Sequence, residues 1–217
     1  MNKNVFLVGK ICSGKTTVSN YLNTNFGYRQ LSLAGPIKEI ERDLNDGISF
    51  QEIYNEHIGR YIHFHHEDQK TMFKIFKQVL EIPRETPKPR RRLQFMGTEG
   101  FRKQIGDSFW IKLAHRKTQQ GPDSNWVIDD VRFMNEYMFF ARHSWIALGL
   151  DVLSDVQEAR IQASYGLYDS TILGHSSELD IDKLLTWTTT QVIDANQPKE
   201  IMLNKVKEIL CITNELE

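Results

Sequence analysis

The chain has 217 residues, about 40% hydrophobic content and a formal charge of −1. That length suits one compact domain with small inserted subdomains, and the apolar fraction suffices for a packed core. The charge lacks the basic excess of a polynucleotide-binding protein. Two cysteines rule out a disulfide scaffold, and no run nears the ~18 apolar residues of a membrane span. Met1-Asn2-Lys3-Asn4 has no signal-peptide shape, so a reducing, cytoplasmic setting is expected.

Val5 to Val8 is a short apolar run ending at Gly9 and reads as a buried strand. From Lys15 to Asn25, the residues Val18, Tyr21 and Leu22 recur at helical spacing, and Phe26-Gly27 stops the helix. Tyr28 to Leu33 reads as a second strand. Gly35-Pro36 opens a helix through Leu44, with the proline at a tolerated first-turn position. Residues 46–89 are rich in His, Lys and Glu, have helical periodicity at 69–81 and end in Pro83, Pro87 and Pro89. They read as a helical insertion, a candidate substrate-side subdomain. Residues 90–105 and 108–118 read as helices. Trp126 to Ile128 is a third strand, followed by Asp129-Asp130. Phe133 to Arg142 is a helix, Trp145 to Leu150 a fourth strand, and 154–164 a helix. Residues 165–178 are polar and contain glycine and read as a mobile loop, and 154–178 is a candidate lid region. Gln191 to Ile193 is a last strand and Lys199 to Leu210 a last helix. Strands alternating with helices imply an α/β, three-layer sandwich around a central, mostly parallel sheet, in a single domain over 1–217.

Gly9-Lys10-Ile11-Cys12-Ser13-Gly14-Lys15-Thr16 matches G-x-x-x-x-G-K-[ST] at every fixed position, between a strand and a helix. Glycines let the backbone approach phosphates closely, successive N–H groups form an anion nest, and the helix adds its positive end. Lys15 is expected to reach the β- and γ-phosphates, and the Thr16 hydroxyl to bind Mg²⁺. A triphosphate site of Gly9, Lys10, Ser13, Gly14, Lys15, Thr16 and Thr17 follows, with ATP as donor and Mg²⁺ as cofactor. Cys12 is expected to pack rather than react.

Asp129-Asp130 stand at the C-terminal edge of a buried strand, where open α/β sheets bind ligands. Asp130 can face Mg²⁺ there, directly or through water. Arg132 and Glu136 lie one helical turn apart, which taken alone reads as a surface ion pair. Over 90–105, at helical pitch, Arg90, Arg91, Gln94, Gly97 and Thr98 share an arc of about 120°, with Leu93, Met96 and Gly100 opposite. Paired arginines can hold a phosphate, Gln94 can meet a base edge, and Gly97 permits close approach. Trp110 is a candidate base-stacking side chain, although an isolated tryptophan more often belongs to a core. His57, His63, His65 and His66 match no metal-ligand spacing. His175 and Glu178 read as part of a flexible loop rather than a metal pair.

Together the phosphate loop, Leu33-Ala34-Gly35-Pro36-Ile37-Lys38, Arg91-Arg92-Leu93-Gln94-Phe95-Met96-Gly97-Thr98, Trp110, Asp130-x-Arg132-x-x-x-Glu136 and His175-x-x-Glu178 resemble the bacteriophage deoxynucleoside monophosphate kinases. The resemblance implies a P-loop fold that transfers the γ-phosphoryl group of ATP to deoxynucleoside 5′-monophosphates for DNA precursor supply. It assigns the monophosphate to Arg90, Arg91, Gln94, Gly97, Thr98, Trp110, Asp130, Arg132 and Glu136. Lys15, Arg132 and Asp130 become the catalytic set. Arg160, as the lid arginine, and Asn196 join the ATP site. The setting is then the host cytoplasm, with a homodimer left open. Segments 46–89 and 154–172 do not align with the family's pattern.

Two rivals share the loop: another small-molecule kinase resembling dephospho-coenzyme A kinase, and a non-catalytic nucleotide switch. Arginines at 90–92 and 132 argue against a switch, which has no second phosphate to hold. A kinase of polynucleotide ends would need a basic stripe that the composition lacks.

Overall fold

The computed structural model describes residues 3–86, 88–121, 123–165 and 180–212. His175, Glu178 and all but the first part of the expected lid region lie outside them. The chain forms two compact units: one from Met1–Leu31 with Asp123–Glu217, the other Ser32–Pro122. The second is wider at both ends than the 46–89 insertion expected from composition.

The first unit is built on five parallel strands in the order β2-β3-β1-β4-β5. They are β1 Val5–Val8, β2 Arg29–Leu31, β3 Trp126–Ile128, β4 Ile146–Asp151 and β5 Thr190–Asp194. All four residues of β1 are buried, as a central strand covered on both faces requires. Alternation sends Val5 and Leu7 to one face, into a core with Val18 and Leu22 of α1 (Lys15–Phe26) and Val206 of α10 (Lys199–Leu210). Phe6 goes to the other face. It meets Tyr137 of α7 (Met134–Arg142) edge-on at 5.1 Å, with Phe140 beside it. Helices on both faces of a parallel sheet make the expected three-layer α/β sandwich. Two further helices complete the unit: α8 (Ser154–Tyr165) and the short α9 (Ile181–Leu185).

Every regular element among the described residues of the second unit is helical. Helix α2 is Gly35–Asn45, α3 Phe50–Tyr54, α4 His66–Glu81, α5 Arg90–Gln94 and α6 Phe109–Gln119. Both α3 and α5 run on as π-helical turns, over Asn55–Gly59 and Phe95–Arg102. Ser49 and Glu52 form a reciprocal cap at the start of α3. Met72, Ile75, Phe76 and Val79 give α4 one buried stripe. That stripe packs with Ile40, Ile53, Ile58, Phe101, Phe109 and Trp110. No helix among the described residues is long and apolar enough to cross a membrane.

Candidate functional site

Strand β1 lies between β3 and β4, with Phe6 paired to Ile128 and Val8 to Gly149. The chain therefore leaves β1 into the phosphate loop at the edge where β3 delivers Asp129 and Asp130. Strands that follow β1 in sequence flank it on both sides, so this is a switch point of the sheet, where ligands bind in open α/β folds.

The loop's conformation is set by its small residues. Cys12 has φ 60° and Gly14 has φ 101°, both left-handed, and the Ser13 N–H donates to the Lys10 carbonyl at 3.2 Å. Gly9 is required by space: a Cβ there would stand 2.5 Å from Ser13 Oγ and 2.8 Å from the Leu150 carbonyl oxygen. Helix α1 begins at once after Gly14, so its N-terminal N–H groups open onto the loop. The Lys15 ammonium is buried and folds back along the loop, donating to the carbonyls of Gly9 at 2.5 Å and Lys10 at 2.7 Å. Ser13 Oγ is fully buried and meets no hydrogen-bond partner among the described residues. A buried hydroxyl in a nest of N–H groups suits the oxygens of a bound phosphate. Lys10 forms an ion pair with Asp182 of α9 at 2.8 Å.

Helix α8 braces the loop from outside, through a residue that sequence reasoning missed. Gln157, 2% exposed, donates its amide to the Ile11 carbonyl at 3.0 Å. Arg160 donates to the carbonyls of Cys12, at 3.4 Å, and Ala195, at 2.8 Å. The expected lid arginine thus ties the loop to the turn after β5. Asn196, in that turn, accepts from the Leu153 N–H and donates to Asp194. The Asp194 carboxyl is held below its usual range by hydrogen bonds from Gln197 first and then Asn196. Gln157 stands one turn before Arg160 on the same helix, and that spacing was the available signal.

The second constellation is partly structural. Asp130 and Arg132 are half-buried, but Glu136 is 2% exposed. Its carboxylate accepts from the N–H groups of Arg132, at 2.9 Å, and Phe133, at 3.2 Å, and so caps α7 from within. Glu136 therefore shapes the loop that carries Arg132, with little surface of its own.

In the second unit the expected common face divides. Arg90, Arg91, Gln94 and Thr98 are exposed, but Gly97 is buried, and a Cβ there would lie 3.1 Å from Ile37 Cδ1. The π-helical turn from Phe95 onward bonds i to i+5 and widens the helix, so a projection at α-helical pitch fails there. Arg92 is also buried. It pairs with buried Glu41 at 3.3 Å and donates to the Ile82 carbonyl at 2.7 Å, while Arg84 reaches the same carboxylate at 3.0 Å. Trp110 is buried too: it is 2% exposed, packs against Phe101 and Phe109, and donates from Nε1 to the Gly97 carbonyl at 3.1 Å. In this structure it is a core side chain, with no face open to a base.

The donors at the strand edge suit Mg²⁺. The Thr16 hydroxyl and the Asp130 carboxylate are hard oxygen ligands, few enough that an ion would share its coordination with substrate phosphates. No three His, Cys, Asp or Glu side chains cluster as a metal site among the described residues. His57 binds Asp43 at 2.6 Å instead.

No family model matches the sequence. Nor does any curated protein. Solved structures do. TT1252 from Thermus thermophilus is similar with a TM-score of 0.54 at 15% identity, covering 99% of this chain and 100% of that one. A sugar kinase from Janibacter sp. HTCC2649 gives a TM-score of 0.51 at 15% identity, with 98% of this chain and 96% of that one covered. Shikimate kinase from Bacteroides thetaiotaomicron gives 0.49 at 15% identity, over 97% and 99% of the two chains. At this identity the likeness is one of fold, and the α/β sandwich of this chain is the fold of the Janibacter sugar kinase over almost the full length of both.

Proposed function

We propose that the protein is an ATP-dependent phosphotransferase whose acceptors are deoxynucleoside 5′-monophosphates. The observation that carries the donor half is the phosphate loop: left-handed Cys12 and Gly14, a glycine with no room for a Cβ at Gly9, a buried lysine and a helix N-terminus. The fold shared with a sugar kinase agrees with phosphoryl transfer. The acceptor half is supported by residue chemistry. Arg90 and Arg91, both exposed, and Arg132 are each of a residue type suited to a phosphate, and Gln94 and Thr98 to the rest of a nucleotide.

Phosphoryl transfer needs alignment and charge neutralisation more than covalent help. Nucleotide phosphates entering the loop would draw the Lys15 ammonium from the carbonyls of Gly9 and Lys10 to the β- and γ-oxygens. Thr16 and Asp130 are the groups assigned to Mg²⁺, which when bound would offset phosphate charge. A monophosphate oxygen is already a competent nucleophile, so no strong general base is needed. Arg160 and Asn196 are assigned to the ATP side.

The test is Lys15→Ala. ADP release is expected to fall to background while the far-UV spectrum and melting temperature stay near wild type, because the lysine charge acts on the transferring group. A near-normal rate in a folded variant would defeat the assignment.

A further inference from the structure

We infer that Gln157 is a positioning residue of the phosphate loop, holding the Ile11–Cys12 peptide so that Cys12 stays left-handed with its N–H in the phosphate nest. The inference rests on reading the loop as a triphosphate site. Gln157 donates to the Ile11 carbonyl at 3.0 Å from a side chain 2% exposed. One helical turn on, Arg160 donates to the Cys12 carbonyl at 3.4 Å. The two peptides that flank the Cys12 Cα are thus both held by α8.

In a trans peptide the C=O and the following N–H point in opposite directions. A carbonyl of Ile11 held toward α8 therefore sends the Cys12 N–H away from α8. The same plane sets φ of Cys12, at 60°, a conformation disfavoured for every residue with a Cβ. Rotation of this peptide would relieve Cys12 and withdraw its N–H from the nest. The buried amide of Gln157 opposes that rotation, because turning the carbonyl away would leave both groups without their bond. Arg160 fixes the far side of Cys12 and joins it to the Ala195 carbonyl, so a single helix sets the loop's shape before any phosphate arrives.

The test compares wild type with Gln157→Met, which keeps length and volume but removes the donor. Calorimetry gives the affinity for Mg–ATP and for tripolyphosphate, and melting is recorded without ligand. Both ligands are expected to weaken by the same factor, on the order of tenfold, with little change in melting temperature. Adding Cys12→Gly to Gln157→Met is expected to restore most of the affinity, since glycine has no penalty at this φ; a merely structural glutamine would not be rescued so. Equal affinity in wild type and Gln157→Met, or no rescue by glycine, overturns the inference alone. A wild type that binds neither ligand overturns the triphosphate reading and the inference with it. Should Gln157→Met fail to fold, Gln157→Leu, apolar and without a donor, takes its place with the same expected loss.

Discussion

Replacing Trp110 distinguishes a core tryptophan from a base-stacking one. Its ring lies 4.7 Å from that of Phe109, edge-on, and 4.8 Å from that of Phe101, and its N–H donates to the Gly97 carbonyl. Truncating a buried tryptophan to alanine costs about 3–5 kcal/mol through lost contacts and the cavity left behind. The Gly97 carbonyl, stripped of its donor, adds about 1–3 kcal/mol. The total approaches the whole stability of a small unit, roughly 5–15 kcal/mol, so Trp110→Ala should leave the helical unit largely unfolded near room temperature. Trp110→Phe keeps most of the packing and loses only the hydrogen bond, so about 1–3 kcal/mol is expected. The assay is urea denaturation followed by far-UV circular dichroism, which reports the helices. The other three tryptophans, at 126, 145 and 187, all lie in the sheet unit, so fluorescence of Trp110→Phe follows that unit alone. A Trp110→Ala variant as stable as wild type, with acceptor use changed among bases, would refute the core assignment.

Gly9→Ala should fold but bind ATP at least about tenfold more weakly, because its Cβ would displace Ser13 or the Leu150 carbonyl; calorimetry reads this directly. Arg92→Met should destabilise the protein by about 3 kcal/mol, since Glu41 stays buried with only half-exposed Arg84 as counter-charge, and the Glu41→Leu, Arg92→Met double variant should lose less than Arg92→Met alone. Arg91→Ala and Arg132→Ala should each cost about 2–4 kcal/mol of transition-state stabilisation, expressed in the acceptor's kcat/KM while ATP affinity is kept.

The phosphate loop was legible in sequence because its requirements are local: glycine where the backbone turns or where a Cβ would collide, lysine and threonine at the helix start. Strands β1, β3 and β4 were legible as short apolar runs, and the last helix, Lys199–Leu210, coincides with its expected bounds. What was not legible depended on distant partners. Nothing near Trp110 in sequence reveals that its N–H meets a carbonyl thirteen residues back, or that Arg92 pairs with Glu41 fifty-one residues away. Glu136 has the residue type of a ligand contact but the geometry of a helix cap. Helix α3 was overlooked in a charged, histidine-rich stretch, although Ser49-Phe50-Gln51-Glu52 carries the capping-box pattern that announces it. The π-helical turn after Gln94 left no periodic signal, and it moved Gly97 from the expected ligand face into the core.

The central claim is tested most directly by transfer of labelled phosphate from γ-labelled ATP. Acceptors are the four deoxynucleoside monophosphates, their ribose counterparts, hydroxymethylated pyrimidine nucleotides and, as a hydroxyl acceptor, dephospho-coenzyme A. The account predicts labelled deoxynucleoside diphosphates from one or more of the monophosphates, and no product from dephospho-coenzyme A. Label appearing only in the product of a hydroxyl acceptor, with every monophosphate left untouched, would contradict it.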